Sequence, residues 1–139
     1  MNELDSAHSI AVDSSGNVYV TGALSVNAFR VAPDGSITQI IDISGDGTNT
    51  LNQARGLAVD DSGNVFVTGG ASDNAFRIGS KGTITQIIDS GGDAVNLLDY
   101  AGRIAVDDAG DVYVTGLDSD NAFKIEDPLP VELQRFLID

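Results

Sequence analysis

The side chains best placed to do chemistry lie in Asp42-Ile43-Ser44-Gly45-Asp46-Gly47-Thr48-Asn49. Oxygen ligands at positions 1, 3 and 5, followed by glycine at 6, repeat the opening of a calcium loop, which makes Asp42, Ser44 and Asp46 the candidate metal ligands. The pattern lapses at position 12, where a bidentate glutamate is wanted and Gln53 stands. The related stretch Asp89-Ser90-Gly91-Gly92-Asp93-Ala94 lacks both the third ligand and that glycine. Asp, Ser and Gly also build tight turns without any ion, which is the simpler account of both loops. Calcium is therefore a candidate cofactor on this stretch alone, and no other cofactor is expected.

Other reactive types are sparse. His8 is the only histidine, and Ser14, Ser15, Ser25, Ser62 and Ser72 fall in turn-like stretches with no histidine within the repeats to activate them. Arg30, Arg77 and Lys124 follow Phe29, Phe76 and Phe123 at one recurring position. They form either a basic ladder for an acidic ligand or, more simply, cations that neutralise nearby aspartates while their stems cover apolar surface. Asn27, Asn74 and Asn121 recur as well, and side-chain capping of turns explains them. No cysteine is present, so sulfur-based metal sites and disulfides are excluded.

The elements that must position these groups come in a repeat of 47 residues. Ile10-Ala11-Val12-Asp13, Leu57-Ala58-Val59-Asp60 and Ile104-Ala105-Val106-Asp107 open three copies, and the first two copies share 27 of 47 positions. Within each copy apolar residues alternate at period two between Gly, Asp and Ser clusters, the pattern of short strands. Four strands per copy are expected, near residues 9 to 13, 17 to 22, 27 to 32 and 36 to 41 in the first and at corresponding places in the others. Asp13-Ser14-Ser15-Gly16, with Asp first and Gly fourth, predicts a type I turn joining strands one and two, and Pro33-Asp34-Gly35 predicts another between strands three and four. Strand two is apolar on both faces, with Val18 and Val20 on one and Tyr19 on the other, so each sheet must be sandwiched between neighbours. Small residues at mid-strand one, Ala11, Ala58 and Ala105, suit inner strands converging on a crowded axis. The expected architecture is all-β, with about three four-stranded antiparallel sheets packed radially as β-propeller blades.

The segment Ile10-Ala11-Val12-Asp13-Ser14-Ser15-Gly16-Asn17-Val18-Tyr19-Val20-Thr21-Gly22 resembles the core of the NHL repeat and of the related bacterial seven-bladed β-propeller repeat. The likeness recurs at residues 57 to 69 and 104 to 116. It implies a propeller fold whose members include scaffolds, binders and a few enzymes, and it implies a secreted or cell-envelope setting. Propeller lyases and lactonases need histidines and acids converging near the axis. One histidine on a three-blade arc does not supply them, so no catalysis is expected from this chain. The functional expectation is a structural or interaction module for a protein or glycan. The alternatives are a fragment of a larger propeller enzyme with its catalytic residues in missing blades, or a small self-assembling propeller.

Complete propellers have about 4 to 8 blades, and three copies fall short. The chain thus reads as an incomplete propeller or as half of an oligomeric ring, with self-association through exposed blade faces. Repeats fill residues 1–126, with units near 10–56, 57–103 and 104–139. After Ile125 the third copy departs from the pattern, and residues 127–139 form an irregular, Pro-bounded segment that can supply an outer strand over Val131 to Ile138. With 7 basic against 21 acidic residues the net charge is −14, which disfavours nucleic acid and anionic lipid and favours cations or basic partners. The acidic N-terminal stretch carries no signal-peptide pattern, and no apolar run approaches the length of a membrane span.

Overall fold

The computed structural model describes residues 3–126 and the backbone of a further strand at 135–138. Unit one contains β1 (Ala7–Val12), β2 (Val18–Gly22), β3 (Asn27–Val31) and β4 (Ile37–Ile41). Unit two contains β5 (Ala54–Val59), β6 (Val65–Gly69), β7 (Asn74–Ile78) and β8 (Ile84–Ile88), and unit three contains β9 (Ala101–Val106), β10 (Val112–Gly116), β11 (Asn121–Ile125) and β12 (Arg135–Ile138). Each unit is a four-stranded antiparallel sheet in sequence order, and the three sheets do not close on one another. The expected all-β architecture is what the chain adopts. No helix among the described residues is long and apolar enough to cross a membrane. The outermost strand of the third sheet is β12; the Pro-bounded stretch before it, residues 127 to 134, lies outside the described residues.

The turns form where the sequence places them. Gly16 N–H donates to Asp13 O at 3.2 Å and Gly35 N–H to Ala32 O at 2.8 Å. Both glycines carry left-handed φ, 86° and 88°, which a side chain would resist. The aspartate side chain tightens the first turn: Asp13 Oδ1 accepts the N–H groups of Ser15 and Asn17, both at 2.9 Å.

Inner strands begin two residues earlier than expected, at Ala7, Ala54 and Ala101. In unit one Ala7 pairs with Gly22 but Ile10 with Val20, so His8 and Ser9 together oppose Thr21. That bulge breaks the period-two pattern and hides the strand's start from a reading by alternation. The tight approach expected near the axis falls at Gly56 rather than at Ala58. A Cβ on Gly56 would stand 2.5 Å from Gly102 O on β9.

Each sheet has a receiving face and a leading face. The receiving face of unit two (Val65, Val67, Phe76, Ile78) packs on the leading face of unit one (Tyr19, Ala28) with Leu51 and Ile41 between them. The same relation holds one unit on, where Phe66 and Ala75 meet Val112, Val114, Phe123 and Ile125 around Leu98 and Ile88. Phe76, Phe123 and Val67 are 0% exposed. Burying such side chains contributes about 1.5–3 kcal/mol each, so the sheets are held together through these shared cores.

Candidate functional site

The loops joining β4 to β5 and β8 to β9 lie on the same rim as the β2–β3 and β6–β7 turns. In the first of them Asp42 Oδ1 accepts both the N–H and the hydroxyl of Ser44. Asp46 turns the other way, its Oδ1 accepting Thr48 N–H at 2.9 Å and Asn49 N–H at 2.7 Å, its Oδ2 accepting the Asn49 amide at 2.9 Å. The Ser44 hydroxyl and backbone donors hold Asp42 below the usual carboxylate range. Partial desolvation pushes Asp46 up, but the Asn49 donors outweigh it and the net shift is down. Asp42, Ser44 and Asp46 thus bond within their own loop. Among the described residues no three acidic, histidine or cysteine side chains are grouped to hold a metal ion.

Unit two repeats this geometry although its residues differ. Asp89 Oδ1 accepts Gly91 N–H at 2.9 Å, and Asp93 Oδ1 accepts Val95 N–H at 3.0 Å and Asn96 N–H at 2.6 Å. The loop shape therefore survives loss of the third oxygen and of the sixth-position glycine, with Ala94 at φ 74° standing where Gly47 has φ 92°. Gly45 and Gly92 have a stricter duty. A Cβ at either would collide with the carbonyl of Asn49 or Asn96 and crowd Phe76 or Phe123 of the following unit.

The recurring asparagines do more than cap a local turn. Asn74 Nδ2 donates to Thr50 O at 3.0 Å, while Ser72 Oγ donates to Asn74 Oδ1 at 2.7 Å and accepts Asn52 N–H at 2.9 Å. Asn27 and Asn121 do the same to Glu3 O and Leu97 O. The Ser-x-Asn pair clasps the connecting segment to the rim, a long-range tie that spacing alone does not reveal. Lys124 Nζ meets Asp111 Oδ2 at 3.0 Å within its own sheet, whereas among the described residues no ion pair reaches Arg30 or Arg77. The three cations are thus not a uniform ladder. His8 is exposed, its Nδ1 3.4 Å from Ser9 Oγ.

Two features escaped the sequence reading. Thr21 and Thr68 are fully buried, and each hydroxyl bridges two sheets: Thr68 Oγ1 accepts Gly56 N–H at 2.8 Å at the bulge and donates to Gly102 O at 2.8 Å on the next inner strand. The second is a clamp beside the inner strands. Arg55 lies 5.0 Å above the Tyr100 ring and donates to its hydroxyl at 2.7 Å; that hydroxyl donates to Gln53 Oε1 at 2.6 Å, and Tyr100 N–H donates to Asp73 Oδ1 at 2.7 Å. Ser6, Gln53 and Tyr100 share one repeat position and a left-handed φ of 55°, 54° and 55°, a conformation that recurrence of the repeat would flag but residue type would not.

On this rim an open cleft of about 630 Å³ is lined by Thr48, Asn49, Asn52, Ser72, Asn74, Gln86 and Ser90. Its walls offer amides and hydroxyls together with one carboxylate, that of Asp89. The cleft can hold a polar ligand by hydrogen bonds.

A family model described as a beta-propeller repeat matches residues 2–23. The three sheets have the fold of β-propeller blades. No curated protein matches the chain in sequence. Among solved structures, virginiamycin B lyase from Staphylococcus aureus superposes with a TM-score of 0.73 at 19% identity, covering 96% of this chain and 41% of the lyase. A gluconolactonase from Xanthomonas campestris gives 0.70 at 12% identity, with 99% and 49% covered. A chain of the nidogen/laminin complex gives 0.73 at 23% identity, with 94% and 47% covered. The chain therefore spans between two fifths and a half of these three chains. The exclusion of catalysis drawn from the sequence is overturned by these neighbours. Three-blade stretches of this backbone occur within a lyase and a lactonase, so lack of a catalytic set in one arc does not decide whether the whole is active.

Proposed function

We propose that this propeller arc is an interaction module that takes a polar partner, a peptide or a glycan, in the rim cleft between the β4–β5 connection and the β6–β7 turn. The cleft carries this reading: its amides and hydroxyls converge on one opening, while the Ser-x-Asn clasps hold the connecting segment in place without reorganisation on binding. The net charge of −14 favours a neutral or basic partner over an acidic one. Thr48 and Ser90 are exposed at the mouth, so Thr48→Trp and Ser90→Trp fill the opening without touching the core. Binding to panels of immobilised glycans and basic peptides, measured by biolayer interferometry, is expected from the parent chain and lost in both variants. Equal binding by the tryptophan variants would sink this reading.

A second reading is favoured by the neighbours themselves, two of which are a lyase and a lactonase. Here the arc is part of a propeller enzyme whose reacting groups come partly from other blades. Turnover of lactone substrates by the full gene product, absent when the flanking repeats are removed, is the result this reading requires.

A further inference from the structure

The two ends of the arc carry the two halves of an interface that the chain already uses twice. On the receiving face of blade one stand Leu4, Ile10, Val12, Val18, Val20 and Phe29, repeat equivalents of residues that in blades two and three pack against the preceding sheet. Leu4 is 43% exposed where Leu51 and Leu98 are 0% and 1%, and Ile10 is 73% exposed where Ile104 is 9%. On the leading face of blade three Thr115 is exposed, although Thr21 and Thr68 at the same position are 0% exposed. Thr21 and Thr68 donate to Arg55 O and Gly102 O of the following blade. Thr115 Oγ1 instead makes a 3.5 Å contact with Arg103 O in its own sheet.

We propose that a second copy of this chain docks head to tail on the first, the leading face of blade three seating on the receiving face of blade one, and that two such joints close a six-bladed ring. Register by repeat names the polar contacts. Thr115 Oγ1 donates to His8 O of the second copy, the equivalent of Arg55 O and Gly102 O. Asp120, at the position of Asp73 and with φ 54° against 53°, accepts Ser6 N–H of the second copy, as Asp73 accepts Tyr100 N–H. Ser6 and Tyr100 share φ 55°, so the N–H is presented from the same backbone conformation. Around these bonds Ile10 and Val12 of one copy cover Ala105 and Tyr113 of the other. The internal joints show what covers such a face, namely a sheet of this same repeat. A head-to-tail contact closes only when the rotation per copy is a simple fraction of a turn, so the proposal requires each copy to span half of it.

Sedimentation equilibrium of the 139-residue chain tests this. The expected mass is twice 14.4 kDa at micromolar concentration, with no further growth on concentrating. The joint is apolar and both copies are acidic, so raising salt from low to 0.5 M should tighten it by screening their repulsion. Ile10→Asp should give monomers. Thr115→Val should weaken association about tenfold by stranding His8 O at both joints. Both sites are exposed in the single chain, so circular dichroism should show unchanged sheet in each variant. A monomer at tens of micromolar overturns the proposal and leaves further repeats of a longer chain as the cover. A dimer indifferent to Ile10→Asp, or a mass that climbs without limit, overturns it equally.

Discussion

Replacing Thr68 by valine keeps its shape and removes one hydroxyl, yet the structure assigns that hydroxyl two jobs. It satisfies Gly56 N–H, which the bulge on β5 leaves without a ladder partner, and it reaches Gly102 O on the neighbouring inner strand, both at 2.8 Å. Thr68 is 0% exposed, so water does not replace it. Stranding a buried donor or acceptor costs about 1–3 kcal/mol, and two are stranded here. The added methyl recovers about 0.8 kcal/mol of apolar burial. The net loss is about 1–5 kcal/mol, centred near 3, which in a chain of this size lowers the melting temperature by roughly 10 °C. Thermal unfolding by circular dichroism measures the total, and hydrogen exchange at the Gly56 amide locates it. Thr68→Ser keeps the hydroxyl and should retain protection of that amide. A Thr68→Val chain that loses under about 0.5 kcal/mol with the Gly56 amide still protected refutes the bridging role.

The remaining predictions concern the loops and the titrating groups. Gly45→Ala should cost about 2 kcal/mol or more, because a Cβ there meets Asn49 O at φ 60°, while Gly47→Ala should cost about 1 kcal/mol, its φ of 92° opening on free space and Ala94 already occupying the equivalent place; equal melting temperatures for the two would contradict this. Burial, and then the bond to Asp13, push the Tyr19 hydroxyl up from 10.0 to about 12. Unfolded tyrosine ionises first, so this stability is complete below pH 10 and is lost as pH rises toward 12. Tyr19→Phe should flatten that alkaline limb in a pH series of urea melts. Millimolar calcium should leave the melting temperature unmoved, since the Asp42 and Asp46 carboxylates already hold their own loop; a calcium-dependent rise abolished by Asp42→Asn is the contrary result.

Much of this was legible because a repeat states its geometry three times. The hairpin turns, the strand order and the burial of β6 on both faces follow from Asp-to-Gly spacing and from Val65, Phe66 and Val67 facing opposite ways. What escaped has a physical reason in each case. The bulge at His8 and Ser9 disguises the start of β1, since two residues opposite one shift the alternation. Thr21 and Thr68 look like ordinary strand residues, and only the approach of the next inner strand makes them bridges. The asparagines look like turn formers because the carbonyls they bind, such as Thr50 O, are 24 residues away. The rim cleft combines parts of two connecting loops, so no single stretch announces it.

Catalysis was the costliest misreading, and its cause is instructive. Absence of a histidine and acid cluster was counted within one arc, although a propeller builds sites at an axis where every blade contributes. A three-blade arc contributes only its own inner strands, here His8, Arg55 and Arg103 at or beside the bulges, with Tyr100 clamped beside them. What those groups do depends on which sheets stand opposite. Ile10 and Thr115 are uncovered, so the identity of the sheets that stand against them decides both assembly and chemistry. If two copies supply them, each inner strand of the arc stands twice around the axis. The rim cleft lies on the connecting loops, away from the faces where such sheets would meet.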